Sequence, residues 1–179
     1  MNIRKLIIGI VLFFAVNVIG YSQDLIPVFS RNYKGFIIPK EHYTWGIPPE
    51  KNRYTLSKDE VQQIEDVFQK NIQKICYKIL HRKHSKYYSK RFLKNYVRQY
   101  FANISEDGHI IISIHLFMIN KSDIKRDIND KFWQRYKEDL VAVYDGGYEV
   151  CRIYMDFTTK KLLELHTNST IIWGKPQFD

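Results

Sequence analysis

Residues 138–168 read EDLVAVYDGGYEVCRIYMDFTTKKLLELHTN, and their pattern decides the fold. Leu140, Val141, Ala142, Val143 and Tyr144 are mostly strand formers, and Asp145-Gly146-Gly147 breaks them. Glycines supply the positive φ that a tight hairpin needs, and an Asp before them is common turn chemistry. The next run alternates. Tyr148, Val150, Arg152, Tyr154 and Asp156 lie on one face, and Glu149, Cys151, Ile153, Met155 and Phe157 on the other. The second set is apolar except at its first member and is expected to face the core. Thr158-Thr159-Lys160-Lys161 makes a second turn. Leu163 and Leu165 then share one face, with Glu164 and His166 on the other. Two successive hairpins with polar outer faces predict an antiparallel sheet solvated on one side.

Outward from this meander, residues 56–83 carry the clearest helix. Ser57 and Glu60 have the spacing of a capping box, and Leu56 and Val61 that of a hydrophobic staple. Val61, Ile64, Phe68, Ile72, Ile75 and Ile79 recur at steps of three and four, one apolar stripe. Between helix and meander, residues 92–105 and 109–120 read as a hairpin about Glu106-Asp107-Gly108. Its second strand puts Ile110, Ile112, Ile114, Leu116 and Met118 on one face. His109, Ser113 and His115 fall on the other, among Ile111, Phe117 and Ile119. Residues 121–137 predict a short inserted helix, with Ile124, Ile128, Phe132 and Tyr136 at steps of four. A one-striped helix beside a one-faced sheet packs on it. The expectation is an α+β domain: one long helix on a curved antiparallel sheet of about five strands, with a short inserted helix.

Residues 1–22 are expected to be address rather than fold. Arg4 and Lys5 precede an apolar run from Leu6 to Ile19, and Gly20-Tyr21-Ser22 puts small residues before a cut at Gln23. That order is a secretory signal peptide. Fourteen helical residues rise only about 21 Å, short of a bilayer core of about 30 Å, which argues against an anchor. No later segment is apolar and long enough to span, so no stable membrane span is expected after cleavage. Residues 23–56 hold Pro27, Pro39, Pro48 and Pro49 among scattered aromatics and read as an extended arm. Residues 57–168 form the domain and 169–179 a tail. The leader points to export, into the periplasm or the medium.

This order of leader, arm, helix and antiparallel strands resembles the cystatin-like and NTF2-like folds of small exported bacterial proteins, a helix wrapped by a curved sheet. The likeness spans about residues 57–168 and rests on element order. The cystatin inhibitor motif, Gln-x-Val-x-Gly, is absent, so the likeness carries no activity with it.

Composition bounds the function. The chain has 179 residues, 45% hydrophobic and 26% charged, a globular balance in a length sufficient for one domain. Formal net charge is +9, and without Arg4 and Lys5 the mature chain stands at +7. An exported protein rarely meets nucleic acid. The excess therefore points to an anionic glycan, lipid head groups or an acidic protein. Between Val67 and Ser105 there is no acid, while Lys78, Arg82, Lys83, Lys86, Lys90, Arg91, Lys94 and Arg98 lie there, interleaved with Tyr77, Tyr87, Tyr88, Phe92 and Tyr96. This reads as a patch for an anionic ligand. The plainer account is a solvated helix end in a Lys-rich chain.

Catalytic signatures are missing. There is no Gly-x-Ser-x-Gly, His-Glu-x-x-His or phosphate loop. His81-x-x-His84 lacks the further ligands a metal needs, and no cofactor is expected. Cys76 and Cys151, two cysteines in an exported chain, invite a disulfide; their alternative is two buried thiols. The leading reading is a non-enzymatic exported binding module. The alternative is a small enzyme with a pocket between helix and sheet, His115 and Asp145 being its first candidates. A core filled with Ile, Phe and Leu speaks for the module, and a concave pocket of convergent polar groups for the enzyme.

Overall fold

The computed structural model of the chain describes residues 24–42, 50–79, 93–118, 138–140 and 150–167, with the side chains of its helix described through Ile72. Among the described residues seven strands form one sheet: β1 (Ile26–Phe29), β2 (Lys34–Ile37), β3 (Arg53–Tyr54), β4 (Tyr96–Ile104), β5 (Ile110–Met118), β6 (Val150–Asp156) and β7 (Lys161–Thr167). Their order is β1-β2-β4-β5-β6-β7, and β3 pairs with β4 beyond the end of β2. One α-helix, α1 (Lys58–Ile79), lies among the described residues.

The expected long helix on an antiparallel sheet of about five strands is therefore corrected. The sheet is wider and dominates the fold, and it is mixed, because β2 runs parallel to β4. The segment read as an arm supplies three of the strands. Parallel neighbours cannot share a hairpin; they need a long crossover, and α1 lies within the one that joins β2 to β4. The expected inserted helix, the first strand of the meander and its Asp145-Gly146-Gly147 turn lie outside the described residues.

Local chemistry accounts for the elements. The Ser57 backbone N–H donates to Glu60 Oε2 at 2.7 Å, and the Glu60 N–H to Ser57 Oγ at 3.2 Å, a reciprocal cap. Tyr54 also donates to Glu60 Oε1 at 2.8 Å, tying β3 to the helix start. Burial works to raise the Glu60 carboxyl, but its hydrogen bonds from Ser57 and Tyr54 outweigh that and hold it below the ordinary range. The β4–β5 turn places Gly108 at φ 80°, a conformation that glycine adopts without strain. The β6–β7 turn closes on Asp156, which accepts from the Thr159 N–H at 3.0 Å and its hydroxyl at 2.7 Å.

Two cores follow from the two faces of the sheet. Val61, Ile64, Phe68 and Ile72 of α1 pack against Ile112, Ile114, Leu116, Cys151, Ile153, Met155 and Leu165, all 2% exposed or less. On the far face Leu25, Phe36, Ile38, Val97, Phe101 and Phe117 form a second cluster. One facing is corrected. Leu163, expected inward beside Leu165, is 40% exposed. The register shifts between Tyr154 and Met155, so that Met155 pairs with Leu162. A bulge re-aims the side chains beyond it, and Leu162 takes the inward place.

Gly35 sets the closeness of the parallel pair. It stands opposite Arg98, and a Cβ added there would lie 2.2 Å from the Arg98 carbonyl oxygen. Backbone cannot yield as a flexible side chain does. Gly35→Ala is expected to cost about 1–3 kcal/mol or more by overpacking, read as a lowered urea midpoint. An unchanged midpoint would mean that β2 does not approach β4 as closely as described.

Candidate binding site

Through Ile72, where its side chains are described, the apolar face of α1 is interrupted once. Glu65 is fully buried, and so is Arg98 opposite it on the inner face of β4. Arg98 Nε lies 2.8 Å from Glu65 Oε1, a charge contact without the aligned N–H···O geometry of a hydrogen bond. The Tyr100 hydroxyl donates to the same oxygen at 2.8 Å, and Gln69 Nε2 to Glu65 Oε2 at 2.9 Å. Arg98 Nη1 donates to the Tyr96 carbonyl at 3.1 Å, while Nη2 has no hydrogen-bond partner. The guanidinium carbon sits 5.9 Å from the Tyr33 ring centroid and 5.8 Å from that of Phe68, within cation–π range. Burial, then the Glu65 charge, drives the Tyr100 hydroxyl well above its ordinary pKa, so it stays a proton donor. Burial and the Glu65 and Asp66 charges raise Tyr33 in the same direction.

Gln69 connects this dry cluster to the surface. It also lines a cleft of about 250 Å³ with Asn32 from the β1–β2 turn and Leu93 and Lys94 from the lead into β4. Leu93 is 1% exposed and gives the cleft an apolar wall, while Asn32 and Lys94 are exposed. No salt bridge engages Lys94 among the described residues.

The opposite face of the sheet carries a polar row. Gln99 pairs across strands with His115, His115 with Arg152 and Arg152 with His166. Gln99 Nε2 donates to the Asp139 carbonyl at 2.7 Å. His115 is buried against the Phe101 ring at 5.4 Å, its Nε2 without a hydrogen-bond partner, and Ser113 Oγ two residues away is likewise unpartnered. Burial, with the Arg152 guanidinium adding to it, pushes the His115 imidazole down to about 3. At the turn, His109 Nδ1 lies 2.9 Å from Asp156 Oδ2. Burial favours the protonated Asp156 carboxyl, but its bonds from Thr159 and the His109 contact prevail and hold it below the carboxylate range.

The basic run divides. Arg98 leaves the expected surface patch, because alternation along β4 turns it inward with Tyr96 and Tyr100. Lys94 stays at the surface. The Lys78 side chain and Arg82, Lys83, Lys86, Lys90 and Arg91 lie outside the described residues. So do Asp145, His81 and His84 and the side chain of Cys76, the expected partner of Cys151. Cys151 itself is buried on the inner face of β6. Among the described residues no group of three or more His, Cys, Asp or Glu could hold a metal, and no helix is long and apolar enough to cross a membrane. The chain matches no protein-family model, no curated protein and no solved structure.

Proposed function

We propose that the chain is an exported binding module for an anionic partner. The observation that carries this reading is that, among the described residues, the space between helix and sheet is filled. An enzyme built on that space needs an open pocket there, commonly of about 300–1,000 Å³. Phe68, Ile64, Ile72, Ile112, Ile114 and Ile153 occupy it, each 1% exposed or less. The polar groups within it, Glu65 and Arg98, answer one another. The net charge of +7 without Arg4 and Lys5, and the acid-free stretch from Val67 to Ser105, set the sign of the partner.

The experiment uses protein expressed with its leader and recovered from the periplasm or medium, beginning at Gln23. It is loaded on immobilised heparin across a salt series, beside a variant with Arg82, Lys83, Lys86, Lys90 and Arg91 changed to Ser. Exposed charges are screened within about 8 Å at physiological ionic strength, so retention is expected to fall as salt rises. The variant should elute at clearly lower salt. Equal retention would reduce the run to a solvated face. Full-length chain in the inner membrane would make residues 1–22 an anchor and overturn cleavage before Gln23.

A further inference from the structure

We infer that the cleft between the β1–β2 turn, α1 and the start of β4 holds a single oxyanion group of a glycan, a sulfate or a carboxylate, together with a neighbouring hydroxyl. This deepens the binding-module reading and rests on it. At about 250 Å³ the cleft is smaller than pockets that enclose a whole ligand, and it suits one projecting group of a larger chain. Its wall carries the donors such a group needs. Lys94 offers an ammonium that no acid neutralises among the described residues. Gln69 is held in place because its Nε2 donates to Glu65, which leaves its carbonyl oxygen to accept from a sugar hydroxyl. Among the described residues the Asn32 side chain makes no hydrogen bond, so it has both donors and an acceptor to give.

Charge decides the sign. Glu65, bonded to the cleft residue Gln69, would repel an anion if it stood alone. Arg98 cancels it at 2.8 Å, in surroundings where both are fully buried. Asp66, the next acid on α1, is exposed and bonded to Gln62 at 2.9 Å. Against it, the lining segments carry Arg31, Lys34, Lys70 and Lys94. The amides make the site a sugar reader rather than a bare phosphate trap, since paired amide groups exchange hydrogen bonds with hydroxyls in both directions.

The test titrates a sulfated disaccharide, its unsulfated counterpart and inorganic sulfate into isotope-labelled mature protein. Amide resonances are followed for the parent, Lys94→Gln and Asn32→Ala, both exposed sites whose change leaves the core untouched. The sulfated disaccharide is expected to shift amides at 31–33, 69 and 93–95. Its affinity should fall at least tenfold in Lys94→Gln and severalfold in Asn32→Ala. The unsulfated sugar should bind far more weakly than the sulfated one. Unchanged affinity in both variants, shifts confined elsewhere, or equal binding of inorganic sulfate and disaccharide would each overturn the sugar site. Those outcomes are separable from the polymer reading. Heparin retention that survives Lys94→Gln alongside unchanged disaccharide affinity removes the cleft and keeps the module.

Discussion

Glu65→Ala is expected to lower folding stability by about 3–5 kcal/mol, a large share of the 5–15 kcal/mol typical of a domain. The change deletes the one acid among the described residues that answers Arg98, whose side chain has no water-exposed surface. A buried guanidinium left alone bears its desolvation cost without return. Tyr100 loses its acceptor at the same time, and Gln69 its anchor. The measurement is a urea midpoint for the parent, Glu65→Ala and Glu65→Gln. The Gln variant keeps shape and an acceptor for Tyr100 but removes the charge, so it should fall between the other two.

A double replacement separates charge from packing. Glu65→Leu with Arg98→Met removes both ions and keeps most of the volume. Buried pairs often exchange for apolar residues at little cost or with a gain of about 1–4 kcal/mol. The double variant should therefore be far more stable than Glu65→Ala. A Glu65→Ala midpoint close to that of the parent would show that water reaches Arg98, and the dry-pair account would fail.

That pair also marks where the sequence was legible and where it was not. The capping box at Ser57 and Glu60 is local, so three residues of spacing sufficed to place the helix start. The β4–β5 turn was legible for the same reason, since Glu106-Asp107-Gly108 leaves one tight path. Strand direction is not local. Alternation reads the same in parallel and antiparallel pairs, so β2 beside β4 left only the trace of Gly35, a residue required by its neighbour rather than by its own turn. The segment before α1 looked like an arm because its strands are two to four residues long and interrupted by prolines. Glu65 did leave a signal. It stands four residues after Val61 and three before Phe68, inside the apolar stripe, where an acid needs a buried cation. The matching signal was Arg98 alternating with Tyr96 and Tyr100. Residue type alone would put each on the wet side, while spacing places both on the core face. The bulge at Tyr154 and Met155 left no trace in the alternation, and it is what exposes Leu163.

Acid is expected to destabilise the fold well before its carboxylates protonate, and His115 is the reason. Its imidazole is 4% exposed, stacked edge-on with Phe101 and beside Phe117. Burial first, and Arg152 second, push it from 6.5 to about 3. In the unfolded chain it takes up a proton below about 6.5; in the fold it stays neutral until about 3. The unfolded state thus binds more protons throughout that window, and stability falls as pH drops through it. At about 1.4 kcal/mol per unit, the loss is roughly 2 kcal/mol at pH 5 and about 5 kcal/mol by pH 3. Glu60 and Asp156 lie below the ordinary carboxylate range in the fold, so their contribution is lost only below about pH 4. Between pH 7 and pH 5 the two effects are separate. Urea unfolding of the parent and of His115→Gln at pH 7, 6 and 5 makes the comparison, because every other titrating group is common to both chains. The parent should lose about 2 kcal/mol more than the variant across that interval. The same slope in both chains would mean that His115 is protonated within the fold, and that water or a counter-charge reaches Nε2 on that face of the sheet.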